Sequence, residues 1–549
     1  MTRDTTASEA AWDYIVVGAG SAGCVVASRL AEDPDIRVLV VEAGGSDDSW
    51  LIGMPKGIGK LVLDPAHAWH YPVDQPREPG MPATEIWVRG RGLGGSSSIN
   101  GMIYVRGQPQ DYDEWEARGA AGWNWAAMKQ AFRAIEDHEL GDDGLRGVGG
   151  PVPISTGKFR YPLSEALIQA GEQMGLERRE DLNREDQEGV GYYAHNIRNG
   201  RRQSAAATFL HPAVRRGNVE VATGVEVDRL LFDGKRVIGV VGRRGGAPVS
   251  FRSNGEVIVA AGAIASPRLL QLSGIGPAEA LSALGIAPIH DSPDVGSKMR
   301  EHLGFAIPYR LKGDPGNNRR FFGAGLVWSA LRYFLTRTGP LATGPFEVGA
   351  FVRTAASVER PDAQLYMSAF TFARGDDNFP VPLADVERAP GLTIYGQLLR
   401  PTSEGRVMAR SADSSQPPVI TPNWLTTDAD CAAAVAMVRY MRRYMEMPAI
   451  REHLAEELVP GPACRSDDEI LHAFRRLSMC GTHAVATCRM GSDGTAVVDS
   501  RLCVRGVEGL RVVDCSVMPS PVSGNTNGPA MALAWRAGAV IREDRLRRR

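Results

Sequence analysis

The feature of this sequence that most limits its fold is a glycine-rich turn near the N-terminus. A short β-type run, Tyr14 to Val17, leads into GAGSAG at residues 18–23, and residues 24–30 have the composition of a helix with a small-residue face. A second apolar run, Val38 to Val41, follows and ends at Glu42. This order predicts a strand, a helix and a parallel strand, the opening unit of a doubly wound α/β fold.

The glycine spacing within this turn is typical of a dinucleotide-binding site. Gly18, Gly20 and Gly23 form a G-x-G-x-x-G pattern, and Glu42 stands 19 residues after Gly23. The first glycine allows the tight turn, the second lets backbone approach a pyrophosphate at the helix N-terminus, and the third lets helix and strand pack closely. Glu42 can accept hydrogen bonds from a ribose. The pattern does not separate FAD from NAD, and an ordinary turn between strand and helix is the alternative.

A second glycine-rich segment, residues 89–103, reads RGRGLGGSSSINGMI. Its glycines leave little side-chain bulk, while its serines and Asn100 supply hydrogen-bond donors and acceptors. Such a loop can lie flat against a planar polar ring and satisfy the polar edges of that ring. A flexible linker is the alternative, but the apolar run Met102 to Val105 argues against it.

This second segment resembles the first signature of the glucose–methanol–choline (GMC) oxidoreductase family, whose members bind FAD. Two further blocks agree with the family in the same order: GAIASP at 262–267, which continues to SGIGP at 273–277, and THAVATCRMG at 482–491 with GLRVVDCSVMPSPVSGNTNGPA at 509–530. The resemblance spans almost the whole chain. The chain is therefore identified as a member of this family, most similar to its choline-dehydrogenase-like branch.

The resemblance implies a catalytic pair and a set of cofactor contacts. His483 matches the family's catalytic base, and Asn527 matches the second catalytic position, which is His or Asn in family members. Histidine is suited to accept the hydroxyl proton of an alcohol because its pKa lies near neutrality, and an amide can orient the alcohol oxygen without titrating. The implied contacts to FAD are Gly18, Gly20, Ser21, Ala22, Gly23, Glu42, Ala43, Trp69, Leu93, Gly95, Ser96, Asn100, Gly101, Met102, Ile103, Val225 and Asp514.

Several positions depart from the family pattern. Ile99 stands where some members attach FAD covalently through a histidine, so we expect non-covalent FAD. Thr482 replaces an aromatic residue that other members place before the catalytic histidine. Residues 295–302, VGSKMREH, are a loose version of a family segment, and we expect structural roles for that segment and for each of three histidines: His195, His211 and His302.

The substrate is less constrained by the sequence. Glu347, in FEVGAF at 346–351, resembles a glutamate of choline dehydrogenases and can hold a cationic head group; a structural glutamate is the alternative. The predicted activity is FAD-dependent oxidation of an alcohol, most simply a primary one, to the aldehyde or ketone, with oxygen or another electron acceptor. A lyase or light-driven decarboxylase of the same fold and a non-catalytic flavin-binding protein are the alternatives, and the His483–Asn527 pair favours the oxidoreductase.

Composition argues against several other kinds of protein: nucleic-acid-binding, disulfide-rich, metal-binding and membrane-spanning. The chain has 62 Lys and Arg against 64 Asp and Glu, a near-neutral balance that gives no electrostatic footprint for nucleic acid. Its seven cysteines include no CxxC pair, so neither disulfides nor a zinc site is expected, and no metal ligands are predicted. No apolar run reaches the length of a transmembrane helix. We expect a cytoplasmic monomer or dimer, and a weak contact of the basic residues 542–549 with an anionic surface is the alternative.

The predicted fold is α/β: a doubly wound, Rossmann-like FAD-binding domain with an inserted substrate domain, built on an antiparallel sheet covered by helices. Both domains are expected to be discontinuous in the chain. The FAD-binding domain takes residues 1–155, 201–310 and 465–549, and the substrate domain takes residues 156–200 and 311–464.

Overall fold

The computed structural model describes residues 12–78, 83, 85–372 and 386–548 and is organised around two seven-stranded sheets. The residue pattern predicts strands over 363–410, and the part of that run at 373–385 lies outside the described residues. In chain order the strands are β1 (Trp12–Val17), β2 (Val38–Val41), β3 (Ala68–Pro72), β4 (Ile86–Gly90), β5 (Glu136–His138), β6 (Val152–Thr156), β7 (Gly189–Tyr192), β8 (Ala194–His195), β9 (Ile197–Arg198), β10 (Arg201–Arg202), β11 (Val219–Ala222), β12 (Val225–Asp233), β13 (Arg236–Arg244), β14 (Ala247–Val259), β15 (Ile275–Gly276), β16 (His290–Asp291), β17 (Leu303–Leu311), β18 (Val348–Val352), β19 (Ala363–Ser368), β20 (Gly391–Leu398), β21 (Arg406–Met408), β22 (Val419–Thr421), β23 (Leu454–Glu457), β24 (Met479–Cys480) and β25 (Leu510–Val512).

The α-helices pack on both sheets and connect their strands. Within the described ranges, none of them is both long and apolar enough to cross a membrane. In chain order they are α1 (Ser21–Leu30), α2 (Trp50–Gly53), α3 (Ile58–Leu61), α4 (Pro109–Ala117), α5 (Trp125–Ile135), α6 (Pro162–Gln173), α7 (His211–Val214), α8 (Gly262–Leu272), α9 (Ala278–Ala283), α10 (Gly323–Thr336), α11 (Asp428–Met445), α12 (Pro448–Arg451), α13 (Asp467–Leu477) and α14 (Asn527–Arg548).

The first sheet is the predicted doubly wound sheet. Its strands β11, β2, β1, β14 and β25 lie side by side in parallel, and β13 and β12 extend it in antiparallel fashion beyond β14. The carboxyl ends of parallel strands meet at one edge, where ligands bind in such sheets. Gly18, Glu42, Ala260 and Asp514 follow four of these strands at that edge.

The second sheet is antiparallel, with the order β23, β17, β20, β19, β18 and β7, and β24 beside β17. Side chains alternate between its faces, as a strand period of two requires. On β20, Ile394 packs into the helix-covered core while Tyr395 and Gln397 line a cavity on the other face. The predicted fold class, with a second antiparallel sheet beside the doubly wound one, is confirmed.

The chain passes between the two sheets at other points than the predicted segments specify. Strand β17 begins at Leu303, inside the segment 201–310, and β24 lies inside the segment 465–549, yet both pair within the second sheet. Helix α13 also packs there, through Ile470 and Phe474. These crossings occur without a glycine–proline linker, so composition did not mark them.

The residue pattern predicts one helix over 111–138 and another from about Ala530, and both have different bounds in the structure. The run 111–138 is two helices, α4 and α5, because Gly119 and Gly122 adopt positive φ between them and residues from Glu136 are extended. The last helix begins at Asn527 and not near Ala530.

Backbone packs directly on backbone where the first sheet meets its glycine-rich loops. A Cβ on Gly23 would lie 1.9 Å from the carbonyl oxygen of Gly18, and one on Gly44 would lie 2.2 Å from the amide nitrogen of Gly92. No side chain fits at either contact, so these glycines are required by packing as well as by turn geometry.

Replacing Gly23 with alanine is therefore expected to destabilise the fold. The new methyl group would force α1 away from the turn at Gly18, at a cost of about 1–3 kcal/mol or more. A lower Tm of the cofactor-free protein would show this. Gly45→Ala is the matched control because a Cβ there meets nothing within 4 Å, and an equal loss of Tm in both variants would contradict the packing argument.

Candidate active site

One cavity of about 1650 Å³ runs from the carboxyl edge of the first sheet to the open face of the second. This volume exceeds the range of about 300–1,000 Å³ that is usual for small-molecule sites, so it can hold a long ligand together with a smaller one. Nearly all of the predicted cofactor contacts line it. Those lining residues are Gly18, Gly20, Ser21, Ala22, Glu42, Ala43, Trp69, Gly95, Ser96, Asn100, Gly101, Met102, Ile103, Val225 and Asp514.

Two predicted contacts lie elsewhere. Gly23 packs against the turn at Gly18, and the side chain of Leu93 lies in the core of the first sheet, away from the cavity wall. Leu93 was predicted as a cofactor contact from its place in the glycine-rich loop. Its apolar side chain instead anchors that loop, and its backbone amide donates to the Gly45 carbonyl at 3.1 Å.

The glycine-rich turn leaves room for a phosphate group at the N-terminus of α1. A Cβ on Gly20 would meet no protein atom within 4 Å, in contrast to Gly18 and Gly23, whose Cβ atoms would collide with backbone. Gly20 is also the residue that precedes the first turn of α1 and has no side chain to cap it. Open space beside uncapped amides at a helix N-terminus is suited to an anion. The residues present fit the pyrophosphate of a dinucleotide.

The Glu42 carboxylate makes backbone hydrogen bonds that the sequence did not predict. Its carboxylate accepts hydrogen bonds from the backbone amides of Ala19 at 2.8 Å, Gly44 at 2.8 Å and Gly92 at 3.0 Å. It thereby joins the first glycine-rich turn, its own loop and the second glycine-rich segment. A carboxylate has about four lone-pair sites, so acceptor capacity is left for a ribose. Burial raises the pKa of Glu42 against these hydrogen bonds.

The polar residues of the second glycine-rich segment mostly hold the segment itself. Ser97 and Ser98 donate to the carbonyls of Gly94 and Leu93, at 2.6 Å and 2.7 Å. The side-chain oxygen of Asn100 accepts from the amide of Met102 at 3.0 Å and from the guanidinium of Arg202 at 2.8 Å. The loop is therefore a rigid wall of the cavity, and Asn100 presents its remaining amide group there.

Three further predicted contacts occupy distinct parts of this wall. Asp514 accepts from the amide of Gly262 at 2.9 Å and so caps helix α8. Val225 lies at the start of β12, with its amide donated to the Glu42 carbonyl at 2.9 Å. Trp69 carries the guanidinium of Arg91 over its ring, 4.4 Å from the centroid.

Farther along the cavity, His483 contacts residues next to the second sheet and the segment before α14. Its backbone amide donates to the Glu301 carboxylate at 2.6 Å, and its ring nitrogen Nδ1 lies 3.1 Å from Nδ1 of His302. Its other ring nitrogen, Nε2, lies 3.3 Å from the side-chain nitrogen of Asn525. The sequence analysis placed Asn527 at the second catalytic position. In the structure the side-chain oxygen of Asn527 instead accepts from the Ser21 hydroxyl at 2.7 Å, so Asn525 is the amide beside His483.

The orientation of the Asn525 amide is fixed by neighbours on the second sheet. Gln364 donates from its side-chain nitrogen to Oδ1 of Asn525 at 3.1 Å, and the hydroxyl of Tyr366 donates to Oε1 of Gln364 at 2.8 Å. The amide nitrogen of Asn525 therefore faces His483. Glutamine and asparagine orientations are assigned from such networks.

The hydrogen-bond partners of His302 show which of its ring nitrogens carries the proton. Nε2 of His302 lies 3.0 Å from the carbonyl oxygen of Leu399, which can only accept, so Nε2 of His302 carries a proton. Neutral His302 then has its lone pair on Nδ1, which lies 3.1 Å from Nδ1 of His483 and 2.8 Å from the side-chain nitrogen of Gln397. The Gln397 nitrogen also lies 3.2 Å from Nδ1 of His483, so amide donors face both ring nitrogens of His483. A general base requires the tautomer in which Nε2, beside Asn525 and the cavity, is unprotonated.

Burial keeps both histidines neutral. It lowers the pKa of His483 well below its usual value, and the neighbouring His302 ring and the Arg89 guanidinium act in the same direction. Burial also lowers the pKa of His302 to about 4. In contrast, burial raises the pKa of Glu301 to about 7, against the effect of the Arg89 guanidinium 3.2 Å away.

Sequence reasoning missed several members of this cluster. Glu301 and His302 end the segment 295–302, for which only a structural role was expected, although both contact His483. That segment did carry a signal, since its acidic residue and histidine lie just before a strand. Gln364 and Gln397 had no signal in the sequence.

The part of the cavity beyond His483 is bounded by an aromatic wall: Phe321, Phe346, Tyr366, Phe370 and Tyr395. Lys56 also lines the cavity there. Its ammonium lies 5.3 Å from the ring centroid of Phe370 and 5.8 Å from that of Phe321, and it donates to the Gly344 carbonyl. Burial lowers the pKa of Lys56 to about 8.

Glu347 does not line the cavity. Its carboxylate accepts from the hydroxyl of Thr343 at 3.3 Å, and its charge stabilises the Lys56 ammonium. The cavity-lining cation Lys56 therefore already interacts with Glu347, the glutamate that resembled a cation-binding residue.

Comparison with known proteins identifies the family to which this chain belongs. Models of the GMC oxidoreductase family match residues 12–304 with the N-terminal part of the family and residues 401–534 with the C-terminal part. The chain is 36% identical over 539 residues to an alcohol dehydrogenase [acceptor] of Pseudomonas putida, covering 96% of this chain and 95% of that protein. It is 38% identical over 551 residues to a mitochondrial choline dehydrogenase of Homo sapiens, covering 97% of this chain and 90% of that protein.

The fold is also found among solved structures. A formate oxidase variant of Aspergillus oryzae RIB40, studied for its FAD modification, superposes with a TM-score of 0.89 at 27% identity, covering 98% of this chain and 99% of that one. Taken with the family match and the shape of the cavity, this similarity identifies the long ligand as FAD.

Gly20→Ala tests where the cofactor lies. The added methyl group points into the space beside the N-terminus of α1, so we expect FAD to bind about tenfold more weakly or worse, while the Tm of the cofactor-free protein stays unchanged. The ratio of FAD to protein absorbance after gel filtration measures the effect. Wild-type retention of FAD in this variant would place the pyrophosphate elsewhere.

Proposed function

Since this chain belongs to the GMC oxidoreductase family, whose FAD-dependent enzymes act on alcohols, we propose that it oxidises a primary alcohol to the aldehyde with His483 as the base. The observation that carries the proposal is a buried, neutral histidine whose Nε2 faces an amide donor in the cavity that holds the cofactor. FAD, when bound, supplies the acceptor for the hydride that leaves the alcohol carbon.

His483 removes the hydroxyl proton at Nε2. Its Nδ1–H is donated to His302, so the imidazolium that forms keeps a hydrogen bond on its far side. Because burial lowers the pKa of His483, the ring stays ready to accept a proton throughout the neutral pH range.

Asn525 orients the alcohol. Its side-chain nitrogen, 3.3 Å from Nε2 of His483, can donate to the alcohol oxygen while the hydroxyl hydrogen points at the histidine. Gln364 holds the amide in this orientation. A fixed donor at the oxygen also stabilises the negative charge that grows there as the proton leaves. We therefore propose Asn525, in place of Asn527, as the second catalytic residue.

The aromatic wall and Lys56 favour an alcohol without a cationic group. Phe321 and Phe370 already carry the Lys56 ammonium on their rings, and a second cation there would meet like-charge repulsion in a desolvated site. The proposed substrate is therefore a neutral, largely apolar primary alcohol, in contrast to the choline named for the human relative.

His483→Ala is expected to slow anaerobic reduction of the bound flavin by neutral primary alcohols about 10²–10⁴-fold, with FAD retained. In the wild-type enzyme the rate constant should be constant through neutral pH and fall only as the pH drops well below 6.5, because only then does His483 gain a proton. The variant should lack this decline. Stopped-flow absorbance measures both, and near-normal reduction by His483→Ala would rule out this base.

Asn525→Ala and Asn527→Ala form a matched pair. Loss of the donor at the alcohol oxygen should slow flavin reduction about 10²–10³-fold in Asn525→Ala. Asn527→Ala should keep a rate within about tenfold of wild type and instead weaken FAD retention, since it loses the hydrogen bond to Ser21 at the start of α1. The reverse ranking of the two rates would restore Asn527 as the catalytic amide.

A further inference from the structure

Helix α10 has the reverse of the burial pattern expected for a surface helix. Apolar residues of such a helix normally face the core, but in α10 the buried residues are Ser329 and Tyr333. Its large apolar side chains are exposed to solvent: Leu326 by 41%, Val327 by 69%, Trp328 by 66%, Leu331 by 48%, Phe334 by 51% and Leu335 by 74%. We call these six residues the apolar helix face.

Trp50, at the start of α2, extends this surface. It is 59% exposed, and its ring centroid lies 5.6 Å from that of Phe334. Half of the large apolar side chains that the described residues expose therefore belong to one helix, with a tryptophan from a second helix beside it. Contiguous apolar surface of this kind marks an interaction site, whereas scattered apolar residues do not.

The charges within the segment that carries the apolar helix face have one sign, while acidic residues lie just outside it at Asp314 and Glu347 and before Trp50 at Asp47 and Asp48. Residues 315–346 contain four arginines, at 319, 320, 332 and 337, and no aspartate or glutamate. Within the described part of the chain, no carboxylate forms an ion pair with any of the four. Their charge is therefore available to an anionic partner.

The apolar helix face also borders the mouth of the cavity. Leu326 and Phe334 are exposed at the outer surface and also line the cavity. Trp50 and Ala330 line the cavity beside them. A partner seated on α10 would consequently adjoin the route to the aromatic wall and His483.

We propose that the apolar helix face docks on an anionic phospholipid surface. A helix of 14 residues is about 21 Å long, shorter than the roughly 30 Å hydrocarbon core, so α10 lies in the plane of the interface with its apolar side inserted. Trp50 and Trp328 are suited to the headgroup level, where indoles concentrate, and the arginines contact lipid phosphates.

A second copy of this chain fits the surface less well. In a two-fold dimer the same patch meets itself, which would bring the four arginines of one protomer against those of the other with no acidic residue in the segment to compensate. An anionic lipid surface satisfies both the apolar side chains and the arginines.

Vesicle co-sedimentation of the FAD-loaded, full-length enzyme tests this proposal. The wild-type enzyme should pellet with mixed phosphatidylcholine–phosphatidylglycerol vesicles, less with phosphatidylcholine alone, and less as salt rises. The triple variant Val327→Ser, Trp328→Ser, Leu335→Ser should bind the mixed vesicles about tenfold more weakly or worse. None of these three residues lines the cavity, so oxidation of a water-soluble alcohol should be unchanged.

A matched control replaces exposed apolar residues elsewhere: Val148→Ser, Val214→Ser, Leu546→Ser. It should bind vesicles like the wild type. Failure of the wild type to bind the mixed vesicles, wild-type binding by the α10 variant, or an equal loss in the control would each overturn the proposal. So would sedimentation velocity that shows a dimer dissociated by the α10 substitutions without vesicle binding, since a second copy would then cover the face.

Discussion

The cofactor end of this protein depends on one buried carboxylate. Glu42 accepts hydrogen bonds from backbone amides of its own loop and of two segments 23 and 50 residues away, and each of these segments is rich in glycine. The glycines allow the backbones to approach to distances at which no Cβ fits, and the carboxylate holds them there. The wall that results is made of backbone with few protruding side chains, so a long cofactor can lie along it.

The sequence predicts this end of the molecule well because its determinants are local. A strand, a glycine-rich turn and an acidic residue at the next strand end are adjacent in the chain, and parallel strands bring their carboxyl ends together. What it cannot predict is the second role of Glu42, because Gly92 lies 50 residues away. Nor does it distinguish Asn525 from Asn527. The two asparagines flank the start of α14, and which of them faces His483 is decided by backbone geometry that includes φ of 141° at Gly524.

The surroundings of the base come from four strands of the second sheet that are far apart in the chain, which is why they were harder to predict. His483 follows β24, its partner His302 precedes β17, and Gln364 and Gln397 come from β19 and β20. Only the register of the antiparallel sheet, in which Gln364 pairs with Gln397, brings these amides to one face. Such register is a tertiary property that residue spacing does not encode. Because the same contacts bury His483, they lower its pKa.

The lining of the cavity changes along its length from polar groups at the cofactor end to apolar side chains at the far end. Backbone amides and carboxylates line the first sheet's edge, a neutral histidine and amides lie in the middle, and aromatic side chains form the far wall. That apolar lining continues outward without interruption, since Leu326 and Phe334 belong both to the cavity and to the exposed side of α10. The entrance to the site is therefore formed in part by the helix that carries the exposed apolar surface. A partner on that surface would border the route by which an apolar alcohol reaches the aromatic wall.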